Sequence, residues 1–444
     1  MSPWAEHVIW WQLHPISFVG AEPLALTGVA AEQAAARHRL GRIGAHLDYV
    51  IELGASGLAL GPVFASESHG YDTVDHYRID PRLGTDEDLD TLIRTCHRRG
   101  IKVLLDGVFN HVGRGFPQFQ DVLANGAASQ YASWFRLNFS ADGPDGFGYA
   151  NFEGHQHLVA LNHAEPAVAQ YTAEVMSHWL GRGVDGWRLD AAYAVPTAFW
   201  QTVTAQVRRE HPDAWIVGEV IHGDYAQIAA TGGLDSVTEY ELWKSIWSSL
   251  NDRNFFELSW TLGRHDGLIE TFLPMTFVGN HDVTRLASRL DDERHLPHAL
   301  AVLFTTSGIP SVYAGDEQAF RGVKYERRDG DAEIRPEFPA TPDQLSDWGR
   351  PVYRLHQDLI GLRRRNPWLV RSRSKVFHLA NETFGFQCLD PDGGSNLAVL
   401  LNVSDQPFDF PIPAANARQV LGSKPHGSGG HVGPHGWAVL ELPA

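Results

Sequence analysis

The chain has 444 residues, with 53 acidic and 36 basic side chains and therefore a formal net charge of −17. Hydrophobic residues make up 43% of it, which is enough for a full-sized core and excludes intrinsic disorder. The strong acidity argues against nucleic acid and against an anionic membrane surface, because binding to either requires clustered Lys and Arg. We therefore expect neither as a partner.

The chain has only two cysteines, Cys96 and Cys388, which lie far apart in sequence. A disulfide framework needs more, so this usage indicates a reducing compartment or indifference to redox state. The segment Met1–His7 lacks the basic start and apolar run of a signal peptide. No stretch approaches the ~18–20 uninterrupted apolar residues of a membrane helix. We expect a soluble cytoplasmic protein.

Short apolar runs alternate with amphipathic helical stretches from the N-terminus to about residue 370. One such stretch, Thr85–Arg99, has apolar residues at helical spacing, an N-cap at Thr85 and a terminating Gly100. Strands that alternate with helices pair in parallel, and eight units fit a (β/α)₈ TIM barrel better than an open sheet. The predicted strands are Val8–Leu13, Gly57–Leu60, Lys102–Leu105, Gly186–Leu189, Trp215–Gly218, Ser236–Glu239, Thr276–Val278 and Ser311–Tyr313.

Two regions depart from this pattern and set the predicted domain boundaries. Residues 112–163 are aromatic, Gly-rich and polar, and we predict an inserted, loop-rich subdomain B after the third strand, on the face where barrel active sites form. The barrel itself then comprises 1–111 and 164–371. Residues 372–444 contain alternating runs and predict a C-terminal antiparallel β-sandwich domain. These runs are Thr383–Leu389, Leu397–Asn402 and Trp437–Leu442.

A Gly- and His-rich loop lies between the last two runs. Its histidines, His426, His431 and His435, could form a metal-binding tract. A flexible hairpin loop is the favoured interpretation, because no Cys or carboxylate in the loop supports metal binding.

Polar side chains follow four of the predicted barrel strands, and the carboxyl ends of parallel strands share one face. Asp190, Glu219 and Asp282 therefore converge there with two histidines and an arginine, and Asp106 is a fourth acidic residue on the same face. The residues are Asp106, Asn110 and His111 after the third strand, Arg188 and Asp190 at the fourth, Glu219 at the fifth, and Asn280, His281 and Asp282 after the seventh.

Spacing suggests roles for the two carboxylates on neighbouring strands. Adjacent strands lie about 4.7–4.9 Å apart, and retaining glycosidases need two carboxyl groups about 5–5.5 Å apart. Arg188 precedes Asp190 by two residues, so its guanidinium should keep Asp190 ionised as a nucleophile. Glu219 has no basic partner nearby in sequence, which suits a general acid. Asp282, from across the barrel, would hydrogen-bond sugar hydroxyls.

Each of these residues could instead have a purely structural role. Asp106 is assigned a structural role, the Arg188–Asp190 pair could be a buried ion pair, and either histidine could be a core residue bonded to backbone. A metalloenzyme is a sharper alternative for the same His/Asp/Glu set. The absence of His-Glu-x-x-His or paired-His spacing weakens it.

These four segments and Gly308-Ile-Pro-Ser-Val-Tyr-Ala-Gly-Asp-Glu317 together resemble the shared motifs of the α-amylase family, glycoside hydrolase family 13, in the family's order. The resemblance implies a barrel with a C-terminal β domain and a retaining hydrolase of α-glucosidic linkages. It implies that Asp190 is the nucleophile, Glu219 the general acid/base and Asp282 the transition-state stabiliser. It also implies that Arg188, His111 and His281 line the −1 sugar site and that Tyr71 stacks on that sugar.

The run from His69 to Gly84 resembles the cyclomaltodextrinase, neopullulanase and maltogenic amylase group more closely. In that group an Asp and an Arg four residues apart, after strand eight, contact the terminal glucose. Asp331 and Arg335 match that spacing, and a solvated charged loop is the alternative. The group usually carries an N-terminal β domain that helps it to dimerise, but the first strand here starts by about Val8. The sequence therefore leaves open both the substrate range and whether the protein is a monomer or a homodimer.

Many α-amylases place Lys-His shortly after the nucleophile, where it helps to hold calcium. Here Ala192 and Tyr193 stand in those positions. The resemblance therefore predicts no cofactor and no essential calcium, although Asn110 keeps one ligand type of the family.

We expect a hydrolase of small linear or cyclic malto-oligosaccharides, mainly at α-1,4 linkages. The alternative enzyme is an α-glucan transglycosylase or a trehalose-synthase-like relative that uses the same three carboxylates. A non-catalytic binding subunit is a third possibility, but such relatives should have lost carboxylates or gained a membrane anchor, and neither is seen in the sequence.

Overall fold

The computed structural model describes residues 3–25, 37–140, 143, 145–327, 329–414, 416–423 and 429–443. Its largest sheet has eight parallel strands in the order β6-β5-β4-β3-β2-β1-β8-β7. A parallel bridge between Thr238 and Met275 joins the two ends of the sheet, which closes into the predicted (β/α)₈ barrel. The strands are β1 (Trp10–Leu13), β2 (Gly57–Leu60), β3 (Lys102–Gly107), β4 (Gly186–Leu189), β5 (Trp215–Gly218), β6 (Ser236–Val237), β7 (Met275–Phe277) and β8 (Ile309–Tyr313).

Helices lie between the strands, as the alternating pattern predicts. Within the described ranges none of them has the length and apolar character needed to cross a membrane. They are Pro15–Phe18, Leu40–Gly44, Leu47–Leu53, Asp86–Arg98, Pro166–Gly181, Thr197–Glu210, Tyr225–Gly232, Tyr240–Asn251, Phe256–Leu268, Leu286–Arg289, Leu296–Thr305 and Arg350–Arg365, with Pro117–Asn125 in the insertion.

The helix Asp86–Arg98 shows how local sequence sets an element. Thr85 and Asp88 form a capping box: the Asp88 amide donates to the Thr85 hydroxyl, and the Thr85 amide donates to the Asp88 carboxylate at 2.8 Å. The apolar stripe of the helix faces the barrel, and Gly100 follows its end at φ +74°. The structure thus confirms the helix predicted from spacing.

Alternation along the strands separates the barrel interior from its outer layer. In β1, Trp10 points inward and stacks on Trp215 of β5 at 5.4 Å, whereas Trp11 packs outward against Phe18. The interior is therefore filled with side chains at its amino end. Near the carboxyl end inward positions are taken by polar residues, such as Asp106 and Arg188, and the site lies there.

The insertion after β3 contains a three-stranded antiparallel sheet and a two-stranded one. Its strands are His111–Gly113, Leu137–Asn138, Gly148–Tyr149, Asn151–Phe152 and His155–Ala160. A second hairpin, Phe64–Ser66 with Thr73–Ile79, follows β2 and was not predicted. Its second strand mixes buried and half-exposed residues without alternation, so the sequence carried no strand signal there.

The C-terminal region forms a five-stranded antiparallel sheet in the order β9-β10-β11-β13-β12, with a two-stranded ladder between Phe408–Asp409 and His431–Val432. Three of the five strands were predicted, and the two that were missed lie at the edges, where exposed polar residues interrupt the pattern. The strands are β9 (Arg373–Leu379), β10 (Thr383–Leu389), β11 (Asn396–Asn402), β12 (Arg418–Gly422) and β13 (Trp437–Leu442).

Candidate active site

The guanidinium of Arg188 lies at the centre of the polar residues that follow the strands. β3 and β4 pair with Arg188 opposite Asp106, so both side chains enter the barrel in the same layer. Nη1 of Arg188 lies 2.7 Å from each carboxylate oxygen of Asp106. Asp106 is fully buried, so this ion pair forms the floor of the site. That placement agrees with the structural role assigned to Asp106.

Asp190 and Glu219 lie side by side above this floor. β4 and β5 pair with Leu189 opposite Gly218, and each carboxylate belongs to the next residue along its strand. Arg188 contacts both carboxylates: Nη2 lies 2.6 Å from Oε1 of Glu219, and Nη1 lies 3.3 Å from Oδ1 of Asp190. The structure therefore brings together the two carboxylates predicted to form the retaining pair.

Two further groups hold Glu219 and were not predicted. Ala191 adopts a left-handed backbone conformation at φ +46°, which is unfavourable for a non-glycine residue, and its amide donates to Oε2 of Glu219 at 3.0 Å. The Tyr240 hydroxyl donates to Oε1 at 3.1 Å and accepts from the Asn280 amide at 2.9 Å. Tyr240 begins the helix after β6 and directly follows the predicted sixth strand, but an aromatic residue there does not stand out as the carboxylates at other strand ends do.

Asp282 enters from the opposite side of the barrel and has its own cationic partner. Nη2 of Arg335 lies 2.7 Å from Oδ1 of Asp282, and Nε2 of His281 lies 2.9 Å from Oδ2. The Gln12 amide faces Nδ1 of His281 at 3.2 Å, which places the ring hydrogen on Nε2, toward Asp282. Gln12, a polar residue within the apolar β1, was also missed.

Tyr71 lies in the turn of the unpredicted hairpin and reaches into the same site. Its hydroxyl donates to Asp106 at 3.2 Å and contacts Nε2 of His281, and the Tyr71 and His281 rings are parallel at 5.6 Å. His111 donates from Nε2 to the Tyr71 carbonyl at 3.0 Å and stacks on Phe152 of the insertion at 4.8 Å. The predicted sugar-binding residues thus surround the three carboxylates.

Burial and mutual repulsion set the charges of the carboxyl groups. Burial, together with the adjacent Glu219 carboxylate, raises the pKa of Asp190 well above its usual range. Burial likewise raises the pKa of Asp106, although Arg188 opposes it. For Asp282, burial acts in the same direction, but His281 and Arg335 outweigh it and hold the pKa well below its usual range. Asp282 is therefore ionised, whereas the environment of Asp190 disfavours its charged form.

One expectation about the charges is wrong. Glu219 does have a basic partner, because the β4–β5 register brings the Arg188 guanidinium nearer to it than to Asp190. Arg188 does lower the pKa of Asp190, but burial and the Glu219 carboxylate outweigh it, and two other carboxylates take the shortest contacts of the guanidinium. Sequence spacing alone could not show which carboxylates on the neighbouring strands the Arg188 guanidinium contacts.

The loop after β8 brings Arg335 into the site and Asp331 to its edge. Arg335 has a side chain only 9% exposed, and its Nε donates to the His281 carbonyl at 2.8 Å. Asp331 is 36% exposed and lies 2.9 Å from Nη2 of Arg335. Arg335 is thus bound to Asp282 and is not a member of a solvated charged loop. Sugar binding by Asp331 and Arg335 stays a prediction.

A (β/α)₈ barrel that gathers a close carboxylate pair and a third, ionised carboxylate at the carboxyl ends of its strands is built for glycoside hydrolysis. Residues 39–371 match the alpha amylase catalytic domain. The chain belongs to the alpha-amylase family and is a glycoside hydrolase.

Individual relatives show which members of the family the chain resembles. The chain is 30% identical over 429 residues to a cyclomaltodextrinase from Geobacillus thermopakistaniensis, covering 92% of this chain and 71% of that protein. It is 31% identical to a maltogenic alpha-amylase from Bacillus acidopullulyticus, covering 85% of this chain and 64% of that one. The ligand-free cyclic α-maltosyl-(1→6)-maltose hydrolase from Arthrobacter globiformis superposes with a TM-score of 0.83 at 26% identity, covering 99% of both chains.

Proposed function

We propose that this chain hydrolyses α-glucosidic bonds, mainly α-1,4, in small malto-oligosaccharides, including cyclic ones, with retention of configuration. The observation that carries the proposal is the placement of Asp190 and Glu219 on adjacent paired strands in contact with one guanidinium. Adjacent strands favour the short separation of a retaining pair over the wider gap that admits water in inverting enzymes.

The residues divide the reaction between them. Glu219 gives a proton to the glycosidic oxygen as the Asp190 carboxylate attacks the anomeric carbon, so the C–O bond breaks and a glycosyl ester forms. Glu219 then removes a proton from water, which attacks the same carbon and releases Asp190. The ionised Asp282 stabilises the positive charge that develops on the sugar ring in both steps. Attack from opposite faces in turn restores the α configuration.

Arg188, the Ala191 amide and the Tyr240 hydroxyl all contact Glu219. Burial and the Glu219 carboxylate raise the pKa of Asp190, and its own contact with Arg188 opposes that rise. Cleavage requires the proton on Glu219. An entering glycosidic oxygen favours that state, since it accepts a hydrogen bond from a protonated Glu219.

The substrate class follows from the walls of the site and from its relatives. The aromatic insertion supplies Phe152 beside His111, and the Tyr71 ring lies above the floor, so sugar faces have surfaces on which to stack. The cyclomaltodextrinase and the cyclic maltosyl-maltose hydrolase carry cyclic substrates in their names. We propose the same class of substrate here. We also propose that the enzyme acts inside the cell, which its two free, buried cysteines support.

The proposal includes catalysis without calcium. Calcium prefers six to eight oxygen ligands, and the Asn110 side chain, whose nitrogen donates to Nδ1 of His111 at 3.0 Å, offers only one. Tyr193, in the position where many relatives carry a histidine, donates its hydroxyl to Glu153. These residues do not form an oxygen cage, and no step above passes through a metal ion. Activity should be unchanged after chelation with EDTA.

The test is a timed product profile on maltotriose, maltotetraose, pullulan, soluble starch and β-cyclodextrin, with the anomeric form scored by NMR. Fast release of α-anomeric glucose or maltose from small or cyclic substrates, with starch nearly untouched, supports the proposal. First-formed β-anomers would overturn retention. Longer sugars or trehalose among the products would show that sugar and not water attacks the intermediate. No turnover on any of these substrates would contradict the proposed substrate class.

A further inference from the structure

A cluster of histidine and aspartate side chains, none of them part of the active site, lies where the barrel meets the C-terminal sheet. It consists of Asp292, His295 and His435, whose ligand atoms all lie within 4.8 Å of one another. Asp292 and His295 precede the helix Leu296–Thr305 of the barrel, and His435 precedes β13. Among the described residues no other group of three such side chains comes this close.

The hydrogen bonds of His435 aim a nitrogen lone pair into the cluster. Its Nε2 lies 2.8 Å from the Asp405 carboxylate, so this nitrogen carries the hydrogen and Nδ1 keeps its lone pair. Nδ1 lies 2.9 Å from Nε2 of His295 and 3.9 Å from Oδ2 of Asp292. Histidines that bind metal ions usually have this arrangement: a carboxylate accepts the hydrogen of one ring nitrogen and thereby points the other nitrogen at the ion.

The backbone holds His435 in this position at a conformational cost. His435 adopts a left-handed conformation at φ +50°, although it is not a glycine. The buried His298 donates from Nε2 to the Gly436 carbonyl at 2.9 Å and packs edge-on against the ring of His295 at 5.2 Å. The loop from the C-terminal domain is therefore fixed against the barrel helix at the residue that faces the cluster.

We propose that Asp292, His295 and His435 bind one divalent transition-metal ion of the Zn²⁺ type, which fastens the C-terminal domain to the barrel. Two imidazole nitrogens and one carboxylate oxygen suit Zn²⁺, whereas Ca²⁺ and Mg²⁺ prefer oxygen ligands. Water completes the coordination, since Asp292 is 28% exposed at the open side. In tetrahedral geometry the two ligand nitrogens separate to about 3.3 Å, a small opening of their present contact.

The competing arrangement is a metal-free hydrogen bond from Nε2 of His295 to Nδ1 of His435. Arg294, which contacts both oxygens of Asp292, works in its favour because it already neutralises that carboxylate. Arg294 is 58% exposed, however, and its Nε also lies 2.9 Å from Oδ1 of Asp292, so it can stay paired through Oδ1 while Oδ2, which faces His435, binds the ion. The proposed site predicts that one Zn²⁺ ion binds at these three residues, whereas the hydrogen-bonded arrangement predicts no such binding.

The test uses untagged full-length protein stripped with EDTA and titrated with Zn²⁺ alone by calorimetry. We expect one tight equivalent, with a Kd below about 1 µM, and a rise in Tm. H435Q and H295Q should lose this equivalent. H431Q is the matched control, because His431 belongs to the same loop but bonds to Asp409 at 2.8 Å. No tight equivalent in the wild type, or equal binding by H435Q and H431Q, would overturn the proposal.

Two measurements do not depend on the folding of the ligand variants. D405N keeps all three ligands and removes the carboxylate that orients His435, together with its exposed pairing with Arg253, so it should weaken Zn²⁺ binding about 10–100-fold. X-ray absorption of the wild-type Zn²⁺ complex should show nitrogen or oxygen neighbours at about 2.0–2.1 Å with imidazole outer shells. Unchanged affinity in D405N, or a spectrum without imidazole, would contradict the assigned site.

Discussion

Nη2 of Arg188 lies 2.6 Å from Oε1 of Glu219, so the guanidinium expected to serve the nucleophile makes its closer contact with the acid/base. The same guanidinium binds Asp106 at 2.7 Å and reaches Asp190 only at 3.3 Å. One cation thus positions three carboxyl groups on three neighbouring strands. The pKa of Asp190 is raised in spite of its contact with Arg188, because burial and the Glu219 carboxylate outweigh the guanidinium.

Substituting each member of the pair by its amide should separate their roles. D190N and E219Q should each lower kcat on maltotriose by at least about 10³-fold, because the first removes the nucleophile and the second the proton donor. With α-maltosyl fluoride, whose leaving group needs no proton, and azide as nucleophile, E219Q should recover turnover and give the α-azide. D190N should give the β-azide.

The opposite result, a β-azide from E219Q and an α-azide from D190N, would mean that Glu219 is the nucleophile and Asp190 the acid/base. Asp358→Asn, an exposed carboxylate on the helix Arg350–Arg365, is the matched control and should leave both reactions at the wild-type rate. A residual kcat in E219Q within tenfold of the wild type on maltotriose would contradict the assignment of the acid.

Asp106 should act on the reaction through Arg188. In D106N the guanidinium keeps one acceptor but loses a charged partner, so it should tilt away from Glu219 and Asp190. We expect kcat to fall at least tenfold with KM changed less than threefold, and the free energy of unfolding to drop by about 1–3 kcal/mol. Steady-state kinetics and urea unfolding measure the two effects separately.

The control for D106N is D80N, which removes the charge from another fully buried Asp–Arg pair. Asp80 binds Arg82 through both oxygens, at 2.9 and 2.7 Å, at the end of its hairpin away from Tyr71. D80N should lose comparable stability while the folded enzyme keeps its kcat. Equal effects of the two substitutions on kcat would reduce Asp106 to a purely structural residue.

Arg335 should control the acid side of the pH profile through Asp282. Loss of the guanidinium in R335Q removes a contact of 2.7 Å that lowers the pKa of Asp282, so this pKa should rise. Since Asp282 must be ionised to stabilise the transition state, the acidic limb of kcat/KM should move to higher pH, and R335K should move it less. A change in KM alone, with the limb fixed, would instead mean that Arg335 only binds sugar.

The sequence was sufficient to predict the parts of the site that follow from strand pattern. Apolar runs ending in a polar residue located Asp190, Glu219 and Asp282, because a barrel strand must turn polar where it leaves the core. Tyr240 and Gln12 were missed for the converse reason. One begins a helix and the other lies within an apolar strand, so neither carries a local signal.

Properties that depend on register or on distant segments could not be predicted. The division of Arg188 among its partners depends on the pairing of β3, β4 and β5, which no single strand encodes. The cluster at His435 draws its other members from 140 and more residues earlier. The loop of His435 lacks a carboxylate of its own, as the sequence shows, and Asp405 and Asp292 supply it from elsewhere. His426 lies outside the described residues.

Stability toward acid should depend on buried neutral histidines away from the site. Burial lowers the pKa of His356 to about 4, although its bond to the Val352 carbonyl opposes the change. Between pH 6.5 and 4 the folded state therefore binds fewer protons than the unfolded chain, so stability is lost as pH falls through this window. At pH 5 this one histidine should account for about 2 kcal/mol of the loss.

The substitution H356L removes the titrating group, and urea unfolding at pH 7.5 and 5.0 measures its effect within each protein. Leucine will change the stability at both pH values, but that contribution cancels in the difference. The loss of stability on acidification should be about 2 kcal/mol smaller in H356L than in the wild type. H155L, at an exposed histidine of the insertion, should leave the loss unchanged. Equal losses in H356L and the wild type would show that His356 takes up its proton while folded.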